Sequence, residues 1–351
     1  MPLPPLYGHE GIRNRLAGAV ASSRLPQALL FEGPPGVGKQ RLALWLAQAL
    51  LCGRRAPNGL PCDDCPACRQ VKQLSHPDLH WFMPLELPSR SGDADKQIEQ
   101  AEEALAEELA ARRARPLYEP PAGLASHGIA SIRLLLRRLR LMPAMGGFRV
   151  LIIGDADRLV PQPGADAAAN ALLKALEEPG PHTVFVLTTA DSGALLPTIR
   201  SRVVRVRVAR ITDSVVTDFA QHELASPPAG AALAQAVTAA QGSIGRLLAL
   251  LGDSAGVPGD GAAALLDALR GPLPARYALA LRQPPFQARG AFTAMLDGLL
   301  DRLRAQARQG RETGGLVRAM GQVMEARELA QGNVNPQLLT AVLAADLAES
   351  P

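Results

Sequence analysis

The chain has 351 residues, 47% hydrophobic and 20% charged, a composition that excludes wholesale disorder. Its net charge of +4 is small for this length, and only 3% of residues are aromatic, so neither charge nor base stacking indicates a nucleic-acid binder. The length predicts two or three domains. The start lacks a basic leader with an apolar run, and no later segment suits a membrane, so we expect a cytoplasmic protein.

The first 209 residues predict an α/β fold. Apolar runs predict five strands, at 28–31, 79–83, 150–153, 184–187 and 203–208, the last one half exposed. Helical spacing follows the first strand and recurs at 129–141 and 172–176. Because strands alternate with helices, we predict a parallel sheet. An acidic, alanine-rich segment at about 93–115 predicts an inserted, largely solvated helix.

Beyond residue 210 the strand patterns end, and leucine- and alanine-rich helical patterns continue to the end of the chain. Segments rich in glycine and proline interrupt them. We therefore expect a small helical domain at 210–252 and a larger all-α domain at 257–351.

A glycine-rich loop follows the first strand and matches G-x-x-x-x-G-K. Gly33, Gly36 and Gly38 would bring backbone N–H groups to phosphates, and Lys39 would add positive charge. The next residue should be a Ser or Thr that holds Mg²⁺, but it is Gln40. Two interpretations stay open: a loop that binds nucleotide, and one that keeps its shape without binding nucleotide productively.

An acidic residue, Asp155, follows the third predicted strand, where it could hold a metal ion through water. Hydrolysis usually requires a second carboxylate beside it, and that neighbour is Ala156. Asp157 could face the same side as Asp155 or cap a helix.

Two sets of arginines could contact phosphates. Arg200 and Arg202 precede the last strand, where an arginine could reach a phosphate bound by another subunit. The residues by themselves favour a surface cation or a local ion pair. A second set, on one side of the 129–141 helix, could lie along a phosphate backbone or form a solvated face. It consists of Arg133, Arg137 and Arg140.

All four cysteines of the chain, Cys52, Cys62, Cys65 and Cys68, lie just beyond the helix that follows the glycine-rich loop. The C-x₂-C-x₂-C run with a fourth cysteine upstream is typical of a tetrahedral zinc site. Four thiolates leave no open coordination position, so we expect a structural zinc ion. Two disulfides are the alternative, which the expected intracellular location disfavours.

Taken together, these motifs resemble bacterial clamp-loader subunits of the AAA+ superfamily, in order and spacing over about residues 5 to 250. The resemblance is carried by the glycine-rich loop, the cysteine insertion, His76-Pro77-Asp78, the Asp155 strand, the run Asn-Ala-Leu-Leu-Lys-Ala-Leu-Glu-Glu-Pro at 170–179, and Arg200-Ser201-Arg202. The run at 170–179 is the most specific of them.

Departures from the family pattern distinguish two classes of subunit. ATP-hydrolysing gamma/tau subunits have Ser or Thr at the position of Gln40 and Glu at the position of Ala156. Arg202 falls on the arginine of the family's Ser-Arg-Cys motif, and Thr189 falls where the first sensor would be. The second sensor arginine falls on Gly245. This pattern is most similar to the delta prime class, which assists hydrolysis by a neighbour.

The resemblance implies a AAA+ domain at 1–209 with a zinc module at 52–68, a helical lid domain at 210–252 and a helical collar domain at 257–351. It implies a hetero-pentamer with gamma/tau and delta subunits that loads a sliding clamp onto primed DNA. It also implies that Arg202 acts as an arginine finger in trans, while Gln40 argues against ATP and Mg²⁺ binding by this chain.

Two other functions remain as alternatives. An active gamma/tau-like ATPase would use Lys39 and Asp155, and Gln40 and Ala156 count against it. A zinc-dependent nucleic-acid binder would bind DNA with a steep salt dependence. The low aromatic content and the long helical C-terminal half count against this second alternative.

Overall fold

The computed structural model describes residues 3–87, 93–117, 125–145, 147–160, 166–251, 261–283, 291–308, 313–330 and 334–348. These residues form two compact units, one up to residue 251 and one from residue 261. The breaks predicted between 252 and 260 lie outside the described residues. The predicted division of the first unit at residue 209 stays a prediction.

The first unit contains a five-stranded parallel sheet in the order β2-β3-β4-β1-β5. The strands are β1 (Ala28–Glu32), β2 (Leu79–Phe82), β3 (Arg149–Ile153), β4 (Thr183–Thr189) and β5 (Val204–Arg207). The strands β3 and β4 are buried along their whole length, as expected for a sheet covered by helices on both faces. The edge strand β5 is largely exposed, and the parallel sheet predicted from the sequence is confirmed.

Helices surround this sheet and complete its hydrophobic core. They are α1 (Glu10–Ala21), α2 (Lys39–Leu51), α3 (Pro66–Lys72), α4 (Ala94–Ala114), α5 (Ile129–Leu139), α6 (Ala167–Glu177) and α7 (Pro197–Arg200). The helix α2 is buried on nearly all sides, because it packs on both the sheet and α1. Its burial fixes the helix N-terminus at the end of β1, where phosphate-binding loops lie.

The inserted helix predicted at about 93–115 is α4. Asp93 begins it by accepting a hydrogen bond from the backbone N–H of Lys96 at 2.8 Å. Ile98, Ala101 and Leu105 form a buried stripe on one side, and α4 packs on α5. The helix is therefore half solvated, and its inner face extends the core of the sheet.

Three helices close the first unit around a small core of their own: α8 (Asp213–Glu223), α9 (Gly230–Ala240) and α10 (Ile244–Leu251). Phe219 is buried there and makes an edge-to-face contact with Tyr7, with ring centroids 5.3 Å apart.

The second unit is helical over its described residues. It comprises α11 (Gly261–Arg270), α12 (Leu273–Leu281), α13 (Ala291–Arg308), α14 (Thr313–Leu329) and α15 (Pro336–Ala348). Its core includes Leu265, Phe292, Leu296 and Val323, all of which are almost fully buried. No helix in the described part of either unit is long and apolar enough to cross a membrane.

Candidate functional site

The glycine-rich loop connects β1 to α2 at the carboxyl edge of the sheet, where parallel α/β sheets bind ligands. Gly36 and Gly38 have φ angles of +72° and +98°, a conformation that glycine adopts without strain. The backbone N–H of Gly33 donates to the carbonyl of Thr189 at 3.3 Å, which ties the loop to the end of β4. The structure thus places the predicted loop and Thr189 side by side.

The ammonium group of Lys39 is turned into its own loop. Nζ donates to the carbonyl oxygens of Gly33 at 2.9 Å and Pro34 at 2.7 Å, and only 6% of the residue is exposed. Burial lowers the pKa of Lys39 to about 8, against an opposing effect from Asp155 and Asp157. In this arrangement the loop carbonyls accept hydrogen bonds that the Lys39 ammonium group donates.

Gln40 occupies the position at which a hydroxyl would hold Mg²⁺. Its Nε2 donates to Oδ2 of Asp155 at 2.9 Å, so an amide joins the two metal-holding positions of the motif directly. Burial raises the pKa of Asp155, and Asp157 raises it further. An uncharged donor such as the Gln40 amide can satisfy this carboxylate without a cation.

Thr189 and Asp157 form a second pair at the same edge. The Thr189 hydroxyl donates to Oδ1 of Asp157 at 2.7 Å. Asp157 lies inside a short 3-10 helix, Ala156–Leu159, so the capping role considered for it is wrong. Ala156 is fully buried beneath this edge.

The start of α10 lies directly against the glycine-rich loop. The backbone N–H of Gly245 donates to the carbonyl of Gly36 at 2.9 Å, and the Ser243 hydroxyl donates to the carbonyl of Pro35 at 3.0 Å. A Cβ atom on Gly36 would come within 2.6 Å of the Ser243 hydroxyl. The sequence could not reveal this contact, because Ser243 is 208 residues from Pro35.

Arg202 lies away from this cluster, just beyond α7. Its guanidinium donates through Nε to Oε1 of Glu177 at 2.7 Å, and through Nη1 to the carbonyl of Thr198 at 2.8 Å. The surface ion pair that the residues by themselves favoured is therefore present. Glu177, at the end of α6, is a partner that the sequence did not identify, since the two residues are 25 positions apart.

The four cysteines form a compact cluster beside α2. Their Sγ atoms all lie within 4.8 Å of one another, with Cys52 at 3.5 Å from Cys62 and at 3.8 Å from Cys65. Four sulfurs at 2.3 Å from one tetrahedral ion would be about 3.8 Å apart. A disulfide requires about 2.05 Å, so the alternative of two disulfides is wrong.

Backbone N–H groups point at these sulfurs, as the negative charge of thiolates requires. Cys65 N–H donates to Cys62 Sγ at 3.3 Å, and Cys68 N–H donates to Cys65 Sγ at 3.4 Å. Hydrogen bonds from the backbone of Asp64 and Cys65 lower the pKa of Cys62 to about 6, whereas burial raises the pKa of Cys52 and of Cys68. The spacing of the four sulfurs and their backbone donors fit a metal ion that prefers thiolates, such as Zn²⁺.

The cysteine segment packs closely on two helices. A Cβ atom on Gly59, whose φ is +85°, would come within 1.9 Å of the Ala17 carbonyl of α1. Gln48 of α2 donates to Asp63 at 2.8 Å. The module is thus attached to the helix that begins at the glycine-rich loop.

The structure also locates the last two predicted features, His76 and the arginines of the 129–141 segment. His76 is buried, and its Nδ1 accepts the backbone N–H of Asp78 at 3.1 Å, in the turn before β2. Arg133 and Arg137 are exposed on α5, and Arg140 is exposed directly after it, so both the phosphate-binding surface and the solvated face stay predictions.

Comparison with known proteins identifies the class of protein that carries this site. A family model described as "DNA polymerase III, delta subunit" matches residues 8–212, more than half of the chain. The chain therefore belongs to this family of clamp-loader AAA+ proteins.

Particular relatives include both classes distinguished above. The DNA polymerase III subunit delta' of Escherichia coli (strain K12) is 30% identical over 70% of this chain and 56% of its own length. The subunit delta' of Bacillus subtilis (strain 168) is 33% identical over 53% of this chain and 43% of its own. The B. subtilis subunit tau is 28% identical over 60% of this chain and 30% of its own. The chain thus spans between about a third and just over half of these relatives.

A solved structure covers nearly the whole chain. It is a DNA polymerase III gamma subunit-related protein from Thermotoga maritima, with a TM-score of 0.46 and 16% identity, over 97% of this chain and 98% of that one.

Proposed function

We propose that this chain is a delta prime subunit of a DNA polymerase III clamp loader, which assists ATP hydrolysis by a neighbouring subunit without hydrolysing ATP itself. The observation that carries the proposal is the hydrogen bond from Gln40 to Asp155, because it fills the place where a hydrolysing subunit would hold its metal ion. The relatives named delta' support the same assignment.

Two further features argue against turnover at this site. Lys39 is engaged by its own loop, and Ala156 provides no carboxylate to orient water, so each feature occupies or removes a group that phosphoryl transfer requires. In addition, Ser243 and Gly245 donate to loop carbonyls and so fix the loop on α10. Together they support a loop kept for its shape and for its contact with α10.

The proposed contribution to catalysis is Arg202. An arginine supplied in trans stabilises the charge that develops on the transferred phosphoryl group. Arg202 lies beyond a short helix near the exposed edge strand β5, with its side chain partly exposed and its orientation fixed by Glu177 and Thr198. Such a placement supports contact with a nucleotide held by another subunit.

Exposed apolar residues in the second unit support assembly with other clamp-loader subunits. Leu273, Tyr277 and Leu281 are exposed at intervals of four residues on α12, so they form one stripe. Leu338 and Val342 form a similar pair on α15. We propose gamma/tau and delta subunits as the partners, in a hetero-pentamer.

A second apolar surface lies between α5 and β3. Leu141, Met142 and Met145 are exposed, Met142 to 87%. The buried carboxylate of Asp78 holds this turn by accepting the backbone N–H groups of Ala144 at 2.6 Å and Met145 at 3.0 Å. An apolar tip held in this way supports contact with a protein partner in the complex, through which we propose that the chain acts on the sliding clamp and primed DNA.

The proposal includes a structural zinc ion at the four cysteines and a cytoplasmic location. The zinc ion would fix the cysteine module on α1 and α2. Its role would be structural, because four protein ligands leave no coordination position for a substrate.

Two measurements test the proposal against an active gamma/tau-like ATPase. First, the purified chain should show no ATP turnover; turnover that is abolished in Lys39→Ala would establish the alternative. Second, the chain should assemble with gamma/tau and delta subunits of the same organism and raise the loading of clamps onto primed DNA. Failure to assemble would refute the assignment.

A further inference from the structure

The guanidinium of Arg202 is held on two sides. Nε and Nη2 both donate to the same carboxylate oxygen, Oε1 of Glu177, with the Nε contact at 2.7 Å. On the other side Nη1 donates to the Thr198 carbonyl at 2.8 Å and lies 3.3 Å from the Ser201 hydroxyl. These contacts fix both the position and the plane of the group.

The elements that carry these contacts are anchored in the core. Glu177 is the last residue of α6, where Leu176 is buried. Thr198 is in α7, where Ile199 is fully buried, and α6 packs against α7. The frame around Arg202 is therefore as rigid as the core beneath it, although the side chain itself is partly exposed.

The bonding pattern leaves part of the guanidinium for another ligand. A guanidinium has five N–H groups, two of them on Nη2. Glu177 uses the Nε–H and one N–H of Nη2, and Nη1 donates to both the Thr198 carbonyl and the Ser201 hydroxyl. One N–H of Nη2 therefore remains, and such a group can donate to a phosphate oxygen.

We propose that Glu177 is a positioning residue for Arg202: its carboxylate holds the Nε edge of the guanidinium so that the remaining N–H of Nη2 faces the phosphate of a nucleotide on the neighbouring subunit. This inference rests on the proposed arginine-donating function. Glu177 transfers no proton and contacts no nucleotide. It lowers the cost of orienting a long side chain at the moment of reaction.

A contribution to folding stability does not account for the ion pair between Arg202 and Glu177. Exposed ion pairs contribute little to folding, and Glu177 is about half exposed. Arg205 and Glu32 form a second ion pair of similar geometry, with Nε and Nη2 of Arg205 both 3.0 Å or less from the Glu32 carboxylate. This second pair lies on β1 and β5 and provides a matched control.

The test measures ATP hydrolysis by the reconstituted clamp loader. The part of the rate that depends on Arg202 is the difference between the wild-type complex and the Arg202→Ala complex. Glu177→Ala should reduce the Arg202-dependent part of the rate by about tenfold. The reduction should be in kcat, with the KM for ATP changed less than about twofold. Glu177→Gln keeps an acceptor oxygen and should retain most of it. Glu178→Ala and Glu32→Ala should leave it intact.

The outcomes separate the two proposals. If Arg202→Ala leaves the rate unchanged, the proposed function of Arg202 fails. If Arg202→Ala lowers the rate but Glu177→Ala does not, only the positioning role fails. A higher rate in Glu177→Ala would also overturn it, since the carboxylate would then restrain the arginine. In the double variant, Glu177→Ala should add no further loss to that of Arg202→Ala. Equal thermal stability of the isolated variants would confirm that folding is intact.

Discussion

Gln40 donates from Nε2 to Oδ2 of Asp155 at 2.9 Å, across 115 residues of sequence. Gln40 lies in the first turn of α2, which follows β1, and Asp155 follows β3. The hydrogen bond therefore passes across the end of β4, which lies between these two strands in the sheet. In a hydrolysing P-loop protein the same two positions share a metal ion. The direct bond explains how a loop of this type keeps its shape without one.

The first prediction concerns this bond. Gln40→Thr removes the amide and restores the hydroxyl that could hold a metal ion, leaving Asp155 able to take part. We expect Mg²⁺ to strengthen the binding of a fluorescent ADP analogue by this variant and to leave the wild-type chain unaffected. Gln48→Thr is the control, since Gln48 also donates to an aspartate but lies far along the same helix. A wild-type affinity that already depends on Mg²⁺ would contradict the prediction.

The second prediction concerns the proposed finger. Arg202→Ala should leave the assembly of the clamp loader intact and slow its ATP hydrolysis, because the lost guanidinium would stabilise the transition state at a neighbour's nucleotide. Steady-state hydrolysis with primed DNA and clamp measures the effect. Arg205→Ala removes a more exposed arginine that is likewise paired with a glutamate, Glu32, and should not slow hydrolysis. Equal rates for all three complexes would remove Arg202 from the site.

The third prediction concerns the cysteines. The purified chain should contain about one zinc ion, and its removal by a chelator should lower the midpoint of thermal unfolding, because the ion links four otherwise repelling thiolates. Cys68→Ser should have a similar effect. Asp64→Asn changes an exposed neighbour within the module and should keep the ion. A metal content well below one per chain, with four titratable thiols, would refute the site.

The fourth prediction concerns pH. Burial lowers the pKa of His127 to about 4, so the folded protein keeps this residue neutral while the unfolded chain binds a proton below about 6.5. The contribution of His127 to stability is therefore complete above pH 6.5 and is lost as the pH falls towards 4. The loss from this residue is at most about 3 kcal/mol in the free energy of unfolding.

Urea unfolding at pH 7 and pH 5 measures this loss. His127→Gln should flatten the dependence, since its amide can still donate to the Gly154 carbonyl, which His127 Nε2 contacts at 2.6 Å. His182→Gln, on the exposed surface, should not change it. An unaltered pH dependence in His127→Gln would contradict the assignment.

The fifth prediction concerns assembly. Tyr277→Asp places a charge in the middle of the exposed stripe on α12, and burial of that charge in an interface would be costly. We expect weaker co-purification with gamma/tau and delta subunits, and an unchanged helical content by circular dichroism. Arg270→Asp, at an exposed position at the end of α11, is the control. Normal assembly of Tyr277→Asp would exclude this stripe from the interface.

Much of the fold could be predicted because its signals are local. Buried parallel strands are short apolar runs, and β3 and β4 lie where such runs occur. The helix α4 was predicted from the acidic, alanine-rich composition of its own segment. Its buried stripe was not predicted, because the stripe depends on packing against α5. The residues of α4 by themselves do not specify which helix they pack against.

Residue types and spacing within single segments determined which chemistry this protein can offer: a phosphate loop with Gln40 in place of a hydroxyl, four thiolates for one metal ion, and an arginine before the last strand. Only the tertiary structure decided what those groups contact. Gln40 meets Asp155, Ser243 lies on the loop, and Glu177 holds Arg202. The physical reason is that hydrogen bonds and ion pairs act over a few ångströms, and the packing of the sheet and helices alone brings such distant segments that close.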